Sequence, residues 1–520
     1  MTTIFNVKPQ TKVATPATAL RFALGIILSA LSGVMLLLSF PPYGLWFLMW
    51  VGFVPYLFAQ YRLMPFKWSS LAVALANLIW LGPFLAALFG TEVGFFFTYL
   101  GVWIAILSLL ISKDRNFHEL TRYRWLVLCG VFMFVGFEMI RATFIPLVAT
   151  SAFVGYTQAK QAWLIQPVSI FSVYGLDLLI MLVNYSIALG VIAWFDRHWQ
   201  SADVAPVDFR MVRNWLAVAG GVLAAWIIVS VVMFNGAANM PKVRVAALRP
   251  NFPLPAFQDE VNTSQIRFDA FAVQAREAAA QGAKILYTPE MMFNFDPQKE
   301  FTADFRAVAK ETGAYIFITY TVVKEGEPWR NEAVLLTPQG EFRDVYGKNH
   351  SFGEPPSAMR GVFPVYDTPL GNLATLICHD ANYTDVARKL TGNGAQIVAA
   401  PISEFGGFGE QFWTNALFRA VENQTAVVVT GVAHVSAIIN GDGSLVALDT
   451  DKNGSRVTLV GEVTLGSGPT PYTSLGDILG WASLAGLVFF MVFQNVIEKR
   501  AKKAAKLASK SPAENVPKAR

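Results

Sequence analysis

The sequence is short of charge. Only 15% of its 520 residues are Asp, Glu, Lys or Arg, against roughly 25% in ordinary soluble domains. It has five histidines and two cysteines. Cys129 and Cys378 form no closely spaced pair, and no two histidines stand at ligand spacing, so no metal site is expected. Phosphate-cradling glycine motifs are missing too: GGFGE (406–410) has no Lys or acidic partner placed as a nucleotide loop needs. A net charge of +5 and a pI near 9.0 raise the question of nucleic acid. The basic residues, however, flank apolar runs instead of forming a patch, so no nucleic-acid partner is expected.

The chain is rich in apolar runs of about 20 residues, the length that crosses a hydrocarbon core. Spans are read at 19–40, 44–60, 68–90, 94–112, 125–148, 176–195, 214–234 and 478–497, about eight in all. The polar start MTTIFNVKPQTK is followed by a run long enough to span, so no cleaved signal is expected. Loop charges set the orientation. Lys8, Lys12, Arg21, Arg62, Lys67, Lys113, Arg115, Arg122, Arg124, Arg197, Arg210 and Arg213 all fall on one side if the N-terminus is cytoplasmic, as the positive-inside rule demands. The expected organisation is a cytoplasmic tail (1–18), a membrane domain of about seven helices (19–237), an extracytoplasmic domain (240–475), a last span (478–497) and a basic, disordered cytoplasmic tail (498–520). That organisation implies a multi-pass membrane protein.

Within 240–475 the pattern changes. VRVAAL, KILYTP, AYIFITYTVV, EAVLLT, LATLIC, QIVAAP and AVVVTGV read as strands, from their β-branched content and Gly/Pro boundaries. Stretches 261–281 and 299–312 read as amphipathic helices, and INGDGSLVAL as a hairpin. Alternating strands and helices make an α/β domain. Glu290 follows LYTP, Lys348 lies in YGKNHSFGEP, and Cys378 ends LATLIC. A carboxylate can take a thiol's proton, and an ammonium can stabilise the thiolate and a developing oxyanion. Together the three make an acyl-transfer site working through a thioester. Each alone has a bland reading: a helix-start carboxylate, a solvated loop charge, a small buried residue. Cys129 sits in a membrane run and reads as packing. Glu138 and Arg141, at i and i+3, read equally as a structural clasp or an intramembrane functional pair.

PEMMF, YGKNH and ICHDAN, carrying Glu, Lys and Cys in that order, resemble the nitrilase (carbon–nitrogen hydrolase) superfamily. The membrane part narrows this. FPPYGLWFLMWVGFVPYLFA (40–59), FEMIRATF (137–144), the VGYTQ to YGLDLLIMLVN stretch (154–184), VAALRPNFPLPAF (245–257) and TPYTSLGD (470–477) resemble bacterial apolipoprotein N-acyltransferases, which implies the bacterial cytoplasmic (inner) membrane. The resemblance implies a polytopic α-helical membrane domain plus an α-β-β-α sandwich. It implies acyl transfer from a phospholipid, through a Cys378 thioester, to the α-amino group of a diacylated lipoprotein. Glu290 would be general base and Lys348 the oxyanion stabiliser, with no cofactor. Glu354, His350, His379, Asp380, Glu404, Phe405, Phe408 and Trp413 are expected to support the site or touch substrate, the stretch 405–413 as an aromatic lid. The sequence departs from the family at His379 and Asp380, where Tyr-Glu is usual, and at Ser403-Glu404-Phe405, Phe257 and Arg249. Those departures keep open a membrane-anchored amidase using the same triad. A scaffold without activity fits poorly with an intact triad, and a transporter fits poorly with so few polar residues in the spans.

Overall fold

The computed structural model describes residues 16–89, 102, 106, 114–145, 149–199, 206–234, 240–250, 263–403, 409–432, 435–451 and 455–510. Two halves meet in it: a bundle of apolar helices and a two-sheet α/β sandwich.

Among the described residues, five helices are long and apolar enough to cross a membrane. They are α1 (Pro16–Ser39), α3 (Leu126–Phe144), α4 (Val168–His198), α5 (Phe209–Phe234) and α11 (Ile478–Lys510), and a further apolar helix, α2 (Ser70–Phe89), packs on α1. The eight spans expected are therefore not all present as continuous helices. The span read at 44–60 is broken into a 3-10 turn (Trp46–Trp50), a short helix (Val54–Phe58) and a π turn (Ala59–Leu63). Pro55 lacks an amide hydrogen, so it starts a helix well but does not continue one. Residues 94–112 lie almost entirely outside the described residues. The last helix runs past 497 to Lys510, where a disordered tail was expected. Ala and Lys are strong helix formers, and lengthening an existing helix adds one hydrogen bond per residue without a new nucleus.

In the other half the strands are β1 (Lys242–Arg249), β2 (Ile285–Tyr287), β3 (Tyr315–Val322), β4 (Arg330–Leu336), β5 (Phe342–Gly347), β6 (Leu373–Thr375), β7 (Ile397–Ile402), β8 (Ala426–Gly431), β9 (Ser436–Ile439), β10 (Leu445–Asp449) and β11 (Val457–Thr464). One sheet has the order β11-β1-β2-β3-β4-β5, the other β10-β9-β8-β7-β6. β1, β2 and β3 are parallel, as are β6, β7 and β8. Val245, Ile285 and Phe317 of the first sheet meet Ile397, Val428 and Ile438 of the second, forming the layer between them. Helices α6 (Thr263–Ala280) and α7 (Thr302–Thr312) cover the outer face of the first sheet through Phe268, Phe271 and Phe305. Helices α8 (Asp385–Gly392) and α9 (Gly409–Asn423) cover the second. This is an α-β-β-α sandwich, nitrilase-like in architecture.

The core under α9 continues without a break into the membrane helices. Phe418 packs edge-on against Tyr156, ring centroids 4.9 Å apart. Helix α4 is interrupted at Ser172, whose φ of 62° is non-helical. A helix break at this depth frees backbone groups that lipid cannot satisfy. Glu422 of α9 answers one of them: its Oε1 accepts the Val173 amide at 2.9 Å. Glu422 Oε2 pairs with Arg419 at 2.9 Å, and Arg419 donates to the Tyr156 hydroxyl at 3.2 Å. Both charged side chains are fully buried. Burial, partly countered by the Arg419 charge, pushes the Glu422 carboxyl up to about 7. Removing one partner of a buried ion pair leaves an uncompensated charge and costs about 3–5 kcal/mol. Arg419→Met should therefore lower the unfolding midpoint of the detergent-solubilised protein sharply, and adding Glu422→Gln should recover much of the loss. Equal destabilisation by the single and double variants in a thermal-shift series would contradict this account of the seam.

Candidate active site

Parallel strands end on the same edge of a sheet, and loops leaving that edge carry side chains to a common point. Glu290 follows β2, Lys348 follows β5 and Cys378 follows β6. Lys348 Nζ lies 3.0 Å from Glu290 Oε1 and 2.6 Å from Glu354 Oε1. The Cys378 thiol hydrogen-bonds to Glu290. Three residues distant in sequence, with Glu354, thus share one buried cluster. Asn331 Nδ2 donates to Glu290 Oε1 at 2.8 Å and Ser403 Oγ to Oε2 at 2.5 Å. Glu290, Lys348 and Cys378 are all at most 5% exposed.

Burial alone would push the Glu290 carboxyl up. The Lys348 ammonium, then hydrogen bonds from Ser403, Asn331 and Cys378, outweigh it and hold the carboxyl below its usual value. Burial would likewise lower Lys348, but the charges of Glu290, Cys378 and Glu354 hold it well above its usual value. The cluster therefore keeps a carboxylate and an ammonium charged in a dry site, where each acts strongly on a third group.

The sulfur sits on a sharp turn. Strand β6 stops at Thr375, and Cys378–Asn382 form a 3-10 turn instead of continuing the strand. Cys378 has φ of +49° and Met291, next to Glu290, +52°. Left-handed backbone at a non-glycine residue costs on the order of 1–3 kcal/mol and persists only where its surroundings overdetermine it. Asp380 supplies that constraint. Its carboxylate accepts the amides of Ile377 (3.0 Å), His350 (2.7 Å) and Asn349 (3.1 Å) and the Tyr346 hydroxyl (2.6 Å). It thereby ties the cysteine turn to the loop that carries Lys348. From the membrane half, Thr150 reaches the far end of the same turn, its amide and hydroxyl donating to the Asn382 carbonyl at 3.2 and 2.7 Å.

The other residues singled out from sequence separate into groups. His379 is buried, its Nδ1 3.0 Å from Asn382 Nδ2, with Phe352 and Tyr383 edge-on to its ring. His350 stacks on Tyr383, centroids 3.6 Å apart, and its Nε2 pairs with Asp385 at 2.9 Å. Trp413 lies in α9, fully buried in the core that also holds Cys378, because helical spacing turns Phe412, Trp413 and Ala416 inward. Glu404, Phe405 and Phe408 lie outside the described residues. Asn331, Tyr346 and Asn382 were not foreseen. The clue in each case is a polar side chain in an otherwise apolar strand or turn, which burial obliges to find a partner.

One consequence concerns acid stability. A carboxyl whose value in the folded state lies below its unfolded value binds fewer protons folded than unfolded. Its contribution is then present above the unfolded value and lost as pH falls through the depressed one. Glu290 should stabilise the protein above about pH 4.5 and cease to do so on further acidification. Unfolding midpoints followed downward through that range should fall more steeply in the wild type than in Glu290→Gln. Parallel curves would show that Glu290 is not held ionised.

Residues 263–468 match the family described as carbon–nitrogen hydrolase, and residues 32–186 match the apolipoprotein N-acyltransferase N-terminal domain. A protein of Geobacter metallireducens named apolipoprotein N-acyltransferase is 26% identical over 513 residues, covering 88% of this chain and 93% of that one. A nitrilase of Pyrococcus abyssi is 31% identical over 146 residues, covering 24% of this chain and 54% of its own length. A crystal structure of an amidase from Nesterenkonia sp. is 20% identical and covers 43% of this chain and 90% of its own, with a TM-score of 0.37.

Proposed function

We propose that this chain, an N-acyltransferase similar to the apolipoprotein N-acyltransferases of the nitrilase superfamily, transfers an acyl chain in two steps from a membrane phospholipid to the α-amino group of a diacylated lipoprotein. The observation that carries the reading is the buried meeting of Cys378, Glu290 and Lys348 on a turn hydrogen-bonded by the membrane half. Both substrates are amphiphiles that stay in the bilayer, so a site fastened to the membrane domain needs no extraction step.

In the first step Cys378 Sγ attacks the ester carbonyl and its proton passes to Glu290. The carbon–sulfur bond forms, and the oxyanion that develops is stabilised by the Lys348 ammonium. Collapse breaks the ester carbon–oxygen bond, and the lysophospholipid oxygen leaves with the proton from Glu290. In the second step the lipoprotein amine attacks the thioester and gives a proton to Glu290. The carbon–nitrogen bond forms, the carbon–sulfur bond breaks, and the thiolate is reprotonated. Glu354 holds the second side of Lys348, so the ammonium stays in place while Glu290 exchanges its proton.

The charge of the basic loops supports an orientation with the tails and those loops in the cytoplasm and residues 240–475 outside. Lys299 is exposed in that segment. A Lys299→Cys variant should react with a membrane-impermeant maleimide in intact spheroplasts. Labelling only after permeabilisation would reverse the orientation.

Purified protein given phospholipid should accumulate a Cys378 acyl adduct, and a diacylated lipopeptide with a free N-terminus should discharge it into N-acylated product seen by mass spectrometry. An N-acetylated lipopeptide should leave the adduct in place. Cys378→Ala should form none, and Glu290→Gln and Lys348→Met should each slow transfer by about 10²-fold or more. Prompt release of free fatty acid from the wild type without an amine acceptor would favour the amidase chemistry instead.

A further inference from the structure

A second cluster of reactive side chains lies far from Cys378 in sequence, where a helical turn (114–120) meets α3 and α11. Asp114 and His118 are one helical turn apart, as are Cys129 and Met133 on α3, so each pair projects from one face. His118 Nε2 lies 3.0 Å from Asp114 Oδ1. Cys129 Sγ lies 3.9 Å from the same oxygen and 3.4 Å from Met133 Sδ. The Asp114, His118 and Cys129 ligand atoms all fall within 4.8 Å of one another. His118 is 1% exposed and Cys129 fully buried.

Two features separate this cluster from ordinary packing. First, the buried His118 ring turns Nε2 toward Asp114 Oδ1, 3.0 Å away, and Cys129 Sγ approaches the same oxygen. An imidazole nitrogen, a carboxylate oxygen and a thiol converging on one buried point is the arrangement of ligands around one cation. Second, the carboxylate is already oriented: the Tyr61 hydroxyl donates to Asp114 Oδ2 at 2.5 Å and leaves Oδ1 facing His118 and Cys129. Outer hydrogen bonds of this kind fix ligands at metal centres.

We propose that Asp114, His118 and Cys129 hold a divalent transition-metal ion of zinc's class beside the Met133 thioether, and that the ion fastens the 114–120 turn to α3. Bond lengths of about 2.0–2.3 Å in a tetrahedron put neighbouring donors about 3.3–3.8 Å apart, and the separations here bracket that range. The charges also balance. On binding, the Cys129 thiol gives its proton to solvent, and one thiolate, one carboxylate and one dication sum to zero, which suits a buried position. From α11, Gln494 Nε2 lies 3.3 Å from Asp114 Oδ1, 3.6 Å from Cys129 Sγ and 3.8 Å from Met133 Sδ. The amide marks the point on which three donors converge, and the ion displaces or turns it.

The test uses the full-length chain in detergent with Cys378→Ala, so that Cys129 is the only thiol. Elemental analysis should find about one zinc per chain, and cobalt(II) exchange should produce thiolate-to-cobalt charge-transfer absorption. Cys129→Ala and His118→Gln should each abolish both signals, while Gln494→Leu should keep them. Zinc no higher than in the Cys129→Ala/His118→Gln double variant, or cobalt bound without thiolate absorption, overturns the proposal. Should the ligand variants fail to fold, X-ray absorption on the unaltered site decides: sulfur in the zinc shell supports the site, and a shell of nitrogen and oxygen alone rejects it. A Gln494→Leu protein that is destabilised and carries no metal assigns the cluster to hydrogen bonding by the amide.

Discussion

An ammonium held out of water between two carboxylates is the constraint from which the catalytic half is arranged. Lys348 is 4% exposed and touches Glu290 and Glu354. A buried charge is tolerable only when paired and hydrogen-bonded. Glu290 must therefore be held as a carboxylate, and Asn331 and Ser403 occupy the acceptor sites that Lys348 leaves. Glu290, Asn331 and Lys348 come from the first sheet and Ser403 from the end of β7 in the second, so the set is complete only when the two sheets pack together. Cys378 also comes from the second sheet, after β6, on a left-handed backbone conformation.

The turn bearing Cys378 is held from two directions. Asp380 binds it to the Lys348 loop, and Thr150 binds it to the membrane half. Glu422, one turn beyond Arg419 on α9, satisfies the amide freed by the break in α4 at Ser172. Ser172 Oγ in turn donates to Asp477, which also accepts from Thr384 beside the cysteine turn. A displacement of α4 or α11 is therefore carried through hydrogen bonds, not through loose apolar contact, to within a few residues of the nucleophile. The two halves behave as one packed body, in keeping with the single core that crosses between them.

Legibility from sequence followed burial. Strands buried on both faces, such as β7 and β8, are continuous Val/Ile/Ala runs and were readable. The edge strands of the first sheet were not. β5 reads FRDVYG and β11 reads VTLVGEVT, half-exposed at the rims of their sheet, where polar residues blur the pattern. Glu290, Lys348 and Cys378 were legible because each ends or follows an apolar strand and because the order resembles a known family. Their partners were not, since Asn331 and Asn382 acquire meaning only when distant strands bring a carboxylate or a histidine beside them. The second membrane segment was misread for a related reason. Hydropathy reports that a stretch prefers lipid or core, and it is silent on whether proline will break the helix within it.

On the proposed mechanism, transfer and hydrolysis share a thioester and differ in how long water is kept from it. Cys378 is 5% exposed, and Phe352, Tyr383 and the His379 ring gather beside its turn. Removing water strengthens the Lys348 field on the oxyanion and also removes the competing nucleophile. It makes the second substrate harder to activate, because a lipoprotein amine must reach the site unprotonated and find a base in place. Glu290 meets that need, being held ionised by Lys348, so it accepts a proton without first losing one to solvent. In the proposed mechanism the same buried pair thus favours an amine, delivered with its lipid, over water.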